Sequence, residues 1–136
     1  MEKFEFLEHT ADIKFQAFGE TLEEAFSNSA LALSNSITEE KIKSKKELKF
    51  QVKGKNMENL LYNFLEEFLF LFDSESFLLS KVKEMKINKE KFELSCVVEG
   101  DEANKYSFHS DIKAITYNEM FIKKEKHWII QGVFDV

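Results

Sequence analysis

The stretch Phe4-Glu5-Phe6-Leu7-Glu8-His9-Thr10-Ala11-Asp12-Ile13-Lys14-Phe15-Gln16-Ala17-Phe18 lies near the start of the chain and determines the interpretation of the rest. Apolar and polar residues alternate on both sides of a short polar corner at residues 9–12. Alternation with a period of two is typical of strands that bury one face. The sequence therefore predicts two strands joined at a corner that carries His9, Thr10 and Asp12, with a rigid strand on each side of these polar groups.

Two later segments have the pattern of amphipathic helices. In the first, residues 22–36, apolar side chains recur at helical spacing, and Thr21 with Glu24 matches a capping box. The second, residues 57–72, follows a potential capping residue, Asn56, and carries a wide stripe of Leu and Phe. Because Leu and Phe at this spacing are usually buried, the second helix is predicted to form the centre of the core.

The remaining apolar runs alternate in the manner of strands. Residues 73–76 are expected to end the second helix, and residues 100–105 are expected to form an exposed loop. Strands before, between and after two helices predict one α+β domain over residues 1–136, with both helices packed on an antiparallel or mixed sheet. The further strands are expected at residues 48–52, 82–87, 92–98, 112–123 and 128–136.

Composition and charge narrow the classes of function. The net charge is −6, and all 19 basic residues are lysines, so the chain offers no guanidinium for a bidentate phosphate clamp. This acidic balance disfavours direct nucleic-acid binding, which usually shows a basic surface. The one cysteine, Cys96, lies in an alternating run and is expected to be a small core residue. Without an internal disulfide, a signal pattern or a run of about 20 apolar residues, the chain is expected to be soluble and cytoplasmic, with no membrane partner.

The two ends of the chain carry the groups best suited to bind a cation. Asp12, Asp135 and the terminal carboxylate of Val136 would supply oxygen ligands for Ca²⁺, Mg²⁺ or Mn²⁺. Adding His9 or His109 would shift the preference towards Mn²⁺ or Zn²⁺. The chain has no HExxH, paired-cysteine or EF-hand spacing, so spacing alone does not establish a metal site. Asp12 could equally bond backbone amides at its corner.

Several separated motifs resemble one known family when they are taken together. The sequence resembles the archease family from residue 6 to the last residue. The motifs that carry the resemblance are His9-Thr10-Ala11-Asp12, Gly19 with Thr21-Leu22-Glu23-Glu24-Ala25-Phe26, Ile112-Lys113-Ala114-Ile115-Thr116-Tyr117 and the terminal Phe134-Asp135-Val136.

The resemblance implies an accessory protein without catalytic residues of its own. Such a protein activates an RtcB-type RNA ligase in tRNA splicing and RNA repair, by promoting its guanylylation and repeated turnover. The resemblance places the metal ligands on Asp12, Asp135 and Val136, with Ca²⁺ as the expected ion and Mg²⁺ or Mn²⁺ as alternatives. It places a functionally important lysine on Lys113. Family members often have His where this chain has Asn118.

Two hypotheses remain beside this expectation. One is a stand-alone metal-dependent phosphoester hydrolase that uses His9, Asp12, His109 and Asp111. The other is an interaction module with an acidic docking surface and no metal. In the accessory-protein hypothesis, His9 is expected to orient Asp12 rather than to bind the ion directly.

Overall fold

The structure is a computed structural model that describes residues 1–9 and 11–136. It confirms an α+β fold with two helices, and both of its sheets are antiparallel in every pairing described. Thr10, which belongs to the predicted corner, lies outside the described residues. Neither helix among the described residues is long and apolar enough to cross a membrane.

The helices and strands follow one another in an order that separates the two sheets along the chain. In chain order they are β1 (Phe4–Leu7), β2 (Ile13–Gly19), α1 (Leu22–Ile37), β3 (Lys46–Lys53), α2 (Met57–Glu75), β4 (Phe77–Asn88), β5 (Glu93–Glu102), a short 3₁₀ turn (Ala103–Lys105), β6 (Ala114–Ile115), β7 (Phe121–Lys124) and β8 (Trp128–Asp135).

The first sheet contains both ends of the chain. Its strands lie in the order β1-β2-β8-β6, and β7 pairs with another part of β8. The second sheet has three strands in the order β3-β5-β4. Because β2 and β8 are neighbours, the first and last strongly alternating segments of the sequence form one continuous ladder.

Both helices are held by caps and by burial of their apolar stripes. The Thr21 hydroxyl accepts a hydrogen bond from the Glu24 amide at 3.1 Å, which confirms the predicted N-terminal cap of α1. Helix α1 contacts β2 of one sheet and β4 of the other, and α2 packs on the second sheet through Phe64 and Phe68. The predicted central role of α2 in the core is confirmed by the complete burial of Phe64.

Three predicted boundaries were wrong. Helix α2 continues to Glu75 and ends where Ser76 adopts a left-handed conformation with φ 52°, and β4 starts directly afterwards. Residues 100–102 belong to β5 rather than to an exposed loop, and Asp101 is only 2% exposed. The single strand predicted at residues 112–123 is divided into β6 and β7 by a turn.

Candidate functional site

Strand pairing brings the two ends of the chain together at one edge of the first sheet. Ile13 of β2 pairs with Phe134 of β8, so Asp12 and Asp135 adjoin the same end of this ladder. On the other side of β8, Ala114 pairs with Asp135, and the backbone N–H of Lys113 donates to the carbonyl oxygen of Asp135 at 2.8 Å. Asp12, Lys113 and Asp135 are thus brought to a common region, although 123 positions separate the two aspartates in the sequence.

The inner face of this ladder explains why its register is fixed. Phe15 and Phe134 are both fully buried, and their rings stack with centroids 4.8 Å apart. A one-residue slip of either strand would turn the ring of that strand towards solvent, so the burial of both rings sets the register of β2 against β8. Lys14 and Gln16 alternate with Phe15 and lie on the outer face of the sheet.

The donor set at this edge consists of carboxylate oxygens. The Asp12 side chain is 23% exposed, and Asp135 and Val136 are exposed, so all three can be reached from solvent. Among residues 1–9 and 11–136 no three side chains of His, Cys, Asp or Glu are arranged to hold a metal ion. Asp12, Asp135 and Val136 offer oxygen atoms only, and oxygen ligands are the ones that hard divalent ions prefer.

His9 lies beside Asp12, but its direct contact is with another residue. Its Nε2 atom is 3.0 Å from Oε2 of Glu119, whereas its Nδ1 atom is 3.9 Å from Oδ2 of Asp12, which is too long for a hydrogen bond. Because an ionised carboxylate only accepts hydrogen bonds, Nε2 carries the proton in the contact with Glu119. Nδ1, which faces Asp12, is buried and has no hydrogen-bond partner among the described residues.

Glu119 is the site residue that the sequence analysis missed. Its second carboxylate oxygen, Oε1, accepts a hydrogen bond from the ammonium of Lys14 at 2.9 Å. The hydrogen bond from Lys14, followed by the one from His9, holds the pKa of Glu119 below its ordinary value. Glu119 thus connects the corner after β1 with the outer face of β2. The only signal in the sequence was the polar pair Asn118-Glu119 within a run that otherwise alternates like a strand.

The backbone of Glu119 is held from several sides. The residue adopts φ 54°, a conformation that side chains larger than glycine adopt only at some cost. The turn is closed by a hydrogen bond from the Met120 N–H to the Tyr117 carbonyl at 3.2 Å. The Tyr117 ring stacks on Tyr62 of α2 at a centroid distance of 4.4 Å, and Gln131 of β8 donates to the Glu119 carbonyl at 2.8 Å. These contacts determine where the Glu119 carboxylate lies.

His109, Asp111 and Asn118 form no hydrogen bond with Glu119 or Lys14 among the described residues. Asp12 and His109 both line an open groove of about 300 Å³, where His109 Nε2 is 3.2 Å from the Asn35 carbonyl oxygen. Asp111 is exposed and does not line this groove. Asn118 is also exposed, and its backbone N–H donates to the Thr116 hydroxyl at 3.2 Å. The hydrolase residues are therefore only partly brought together.

Comparison with known proteins places the chain in a family of this architecture. The sequence model of the archease protein family (MTH1598/TM1083) matches residues 4–136. The chain is 40% identical to protein archease of Pyrococcus furiosus, with full coverage of both sequences. It is 36% identical to protein archease of Methanosarcina mazei, with coverage of 99% and 97%.

The same relationship extends to a eukaryote and to a solved structure. Protein archease of the fish Ictalurus punctatus is 32% identical over 99% of this chain and 86% of its own. The solution structure of protein 1598 of Methanobacterium thermoautotrophicum superposes over the full length of both chains with a TM-score of 0.84 at 29% identity. The chain described here belongs to the archease family.

Proposed function

We propose that this protein is an accessory factor that binds a divalent cation and activates an RtcB-type RNA ligase in tRNA splicing and RNA repair. The observation that carries the proposal is the meeting of the two chain ends, where β2 and β6 both pair with β8. This pairing gathers Asp12, Asp135 and Lys113 beside the terminal residue Val136. Membership of the archease family supports the accessory role.

Electrostatics explain why a cation would bind at this edge. Carboxylates that lie close together repel one another, and a bound cation relieves that repulsion. Asp12, Asp135 and the Val136 terminus offer only oxygen donors, a chemistry that favours Ca²⁺, with Mg²⁺ or Mn²⁺ as alternatives. A cation held by these residues would supply positive charge that could stabilise charge on phosphate oxygens in the ligase's guanylylation reaction.

Lys113 is placed to act on the partner rather than within the fold. Its backbone is fixed by the hydrogen bond to Asp135, while the residue itself is exposed. A lysine in this position can contact an acidic group of the ligase or a phosphate of its nucleotide. The protein in this proposal contributes no nucleophile, and the ligase carries out the joining of RNA ends.

Two measurements on the full chain test the proposal. Calorimetric titration with Ca²⁺, Mg²⁺ and Mn²⁺ is expected to show binding to the wild type and at least a tenfold loss of affinity (~1.4 kcal/mol) for Asp12→Ala and Asp135→Ala. Guanylylation of an RtcB-type ligase from GTP is expected to be stimulated by the wild type and not by either variant. Asp73→Ala removes an exposed aspartate from α2 and serves as the charge-matched control.

The outcomes separate the competing hypotheses. Full stimulation of the ligase by Asp12→Ala and Asp135→Ala would contradict the proposal. Stimulation by a wild type that binds none of the three ions would favour the metal-free interaction module. Chelator-sensitive hydrolysis of a phosphoester by the isolated protein would favour the hydrolase hypothesis, in which His109 acts from the groove that it shares with Asp12.

A further inference from the structure

Lys14 is the basic side chain that lies nearest in sequence to the proposed cation site, two residues after Asp12. Both residues line the same groove, and Lys14 lies on the outer face of β2. Asp12 lies in the bend just before β2. Two extended residues span about 7 Å, a distance that the four-carbon side chain of lysine can reach across. The ammonium of Lys14 could therefore pair with the Asp12 carboxylate and occupy the place of a divalent cation.

In the structure the ammonium is held elsewhere. Nζ of Lys14 lies 2.9 Å from Oε1 of Glu119, in a pair whose lysine side chain is only 18% exposed. The second oxygen of the same carboxylate contacts His9 at 3.0 Å. Among the described residues the Lys14 ammonium therefore pairs with Glu119 and not with Asp12.

Contacts with neighbouring elements fix the position of Glu119. Its left-handed backbone conformation persists because the surrounding contacts hold it there. Gln131 donates to the Glu119 carbonyl at 2.8 Å, and Gln16 of β2 donates to the Gln131 side chain at 2.9 Å. This chain of hydrogen bonds runs across the outer face from β2 through β8 to Glu119.

We propose that Glu119 is a positioning residue that sequesters the Lys14 ammonium, and so keeps the carboxylates of Asp12 and Asp135 free to bind a divalent cation. This inference rests on the proposed function, because it concerns the same site. Glu119 touches neither Asp12 nor Asp135 in the hydrogen bonds and ion pairs of the described residues, and acts through Lys14.

A double-mutant cycle with Ca²⁺ alone as the probe tests this role. The four proteins are wild type, Glu119→Gln, Lys14→Met and the double variant, titrated by calorimetry at one ionic strength. Glu119→Gln releases the ammonium and is expected to weaken Ca²⁺ binding about five- to tenfold, as a partly exposed ion pair of about 1 kcal/mol would. Lys14→Met alone is expected to change the affinity less than about twofold, because the ammonium is already sequestered.

The double variant separates sequestration from a general effect of charge. Under the proposal it regains an affinity within about twofold of the wild type, so the two substitutions are strongly non-additive. If Glu119 acted only as one more negative charge near the site, the two effects would be independent and would add in free energy. Glu8→Gln removes an exposed carboxylate next to His9 in the sequence and is expected to leave the affinity nearly unchanged.

Different experimental outcomes would overturn the role of Glu119 and the proposed cation site. Binding of Ca²⁺ by the wild type with additive effects in the cycle would overturn the role of Glu119 and leave the cation site intact. A loss of affinity in Lys14→Met as large as in Glu119→Gln would also overturn it. Absence of Ca²⁺, Mg²⁺ and Mn²⁺ binding by the wild type would overturn the cation site and this inference together. Thermal unfolding of all variants in chelator checks that each one is folded.

Discussion

The backbone N–H of Lys113 donates to the carbonyl oxygen of Asp135 at 2.8 Å, so a lysine that precedes β6 is fixed against the penultimate residue of the chain. The hydrogen bond uses only the backbone of Lys113 and leaves its side chain available. Removing that side chain should therefore affect recognition of a partner more than folding. This separation of roles can be tested directly.

Lys113→Ala is expected to retain Ca²⁺ binding and thermal stability but to raise the concentration needed for half-maximal stimulation of the ligase about tenfold, or ~1.4 kcal/mol. The measurement is guanylylation of an RtcB-type ligase at a series of protein concentrations. Lys126→Ala, in the exposed turn between β7 and β8, removes the same charge and should have little effect. Equal effects of the two variants would contradict a specific role for Lys113.

The burial of Phe15 against Phe134 predicts that replacing Phe15 lowers stability far more than replacing the exposed Phe70. Phe15→Ala removes a fully buried ring that stacks on Phe134, and it is expected to lower the free energy of unfolding by about 3–5 kcal/mol. Phe70→Ala removes a ring that is 57% exposed and should cost less than about 1 kcal/mol. Urea unfolding followed by circular dichroism compares them, and similar losses would show that Phe15 is not part of the ladder core.

Asp101 predicts a dependence of stability on pH. The hydrogen bond from the Tyr106 hydroxyl at 2.8 Å lowers the pKa of Asp101; burial of the carboxylate opposes the shift, and the Glu102 N–H and Lys105 add to it. A carboxyl group whose pKa is lowered by folding stabilises the native state at pH values above its unfolded-state pKa, which is about 3.9. This stabilisation is lost as the pH falls through the folded-state pKa.

Asp101→Asn is therefore expected to be less stable than the wild type at pH 7, and the difference should shrink as the pH falls below about 4. Urea unfolding at a series of pH values measures it. Asp73→Asn, an exposed residue of α2, provides the control for loss of one negative charge. A difference that stays constant between pH 7 and pH 3 would show that the charge of Asp101 does not contribute.

Local patterns in the sequence predicted the class of fold and most of its elements. Alternation and helical spacing depend on neighbouring residues, so β2, α1 and the burial of Cys96 followed from them. Burial also raises the pKa of the Cys96 thiol to about 12, in agreement with a core role. Polar residues were interpreted less well. Asp101 is buried within β5, where the Tyr106 hydroxyl donates to its carboxylate, and spacing alone does not reveal this partner.

The sequence predicted that the two chain ends meet, which strand pairing shows, but it did not predict the contacts around them. The proximity of Asp12 and Asp135 was expected because apolar residues hold the end of the chain against the core. The role of Glu119 depends on a turn that divides the predicted strand at residues 112–123, and on a left-handed backbone that a glutamate does not signal. Its contact with Lys14 joins residues 105 positions apart, which no local periodicity can encode.

The proposed role of the Val136 carboxylate as a ligand can be tested by extending the chain beyond Val136. Adding Gly-Ser after Val136 converts this carboxylate to a peptide group and moves the new terminal charge away from Asp135. A site that uses the terminus as a ligand is expected to lose at least tenfold in Ca²⁺ affinity, or ~1.4 kcal/mol, and stimulation of the ligase should fall with it.

The same Gly-Ser addition at the amino terminus, before Met1, is the matched control, because Met1 is exposed and precedes β1. It should leave both Ca²⁺ affinity and stimulation unchanged. The register of β2 against β8 is set by Phe15 and Phe134, so the carboxyl-terminal extension should not alter thermal stability in chelator. Full Ca²⁺ affinity in the extended protein would remove Val136 from the ligand set and leave Asp12 and Asp135 as the acidic donors.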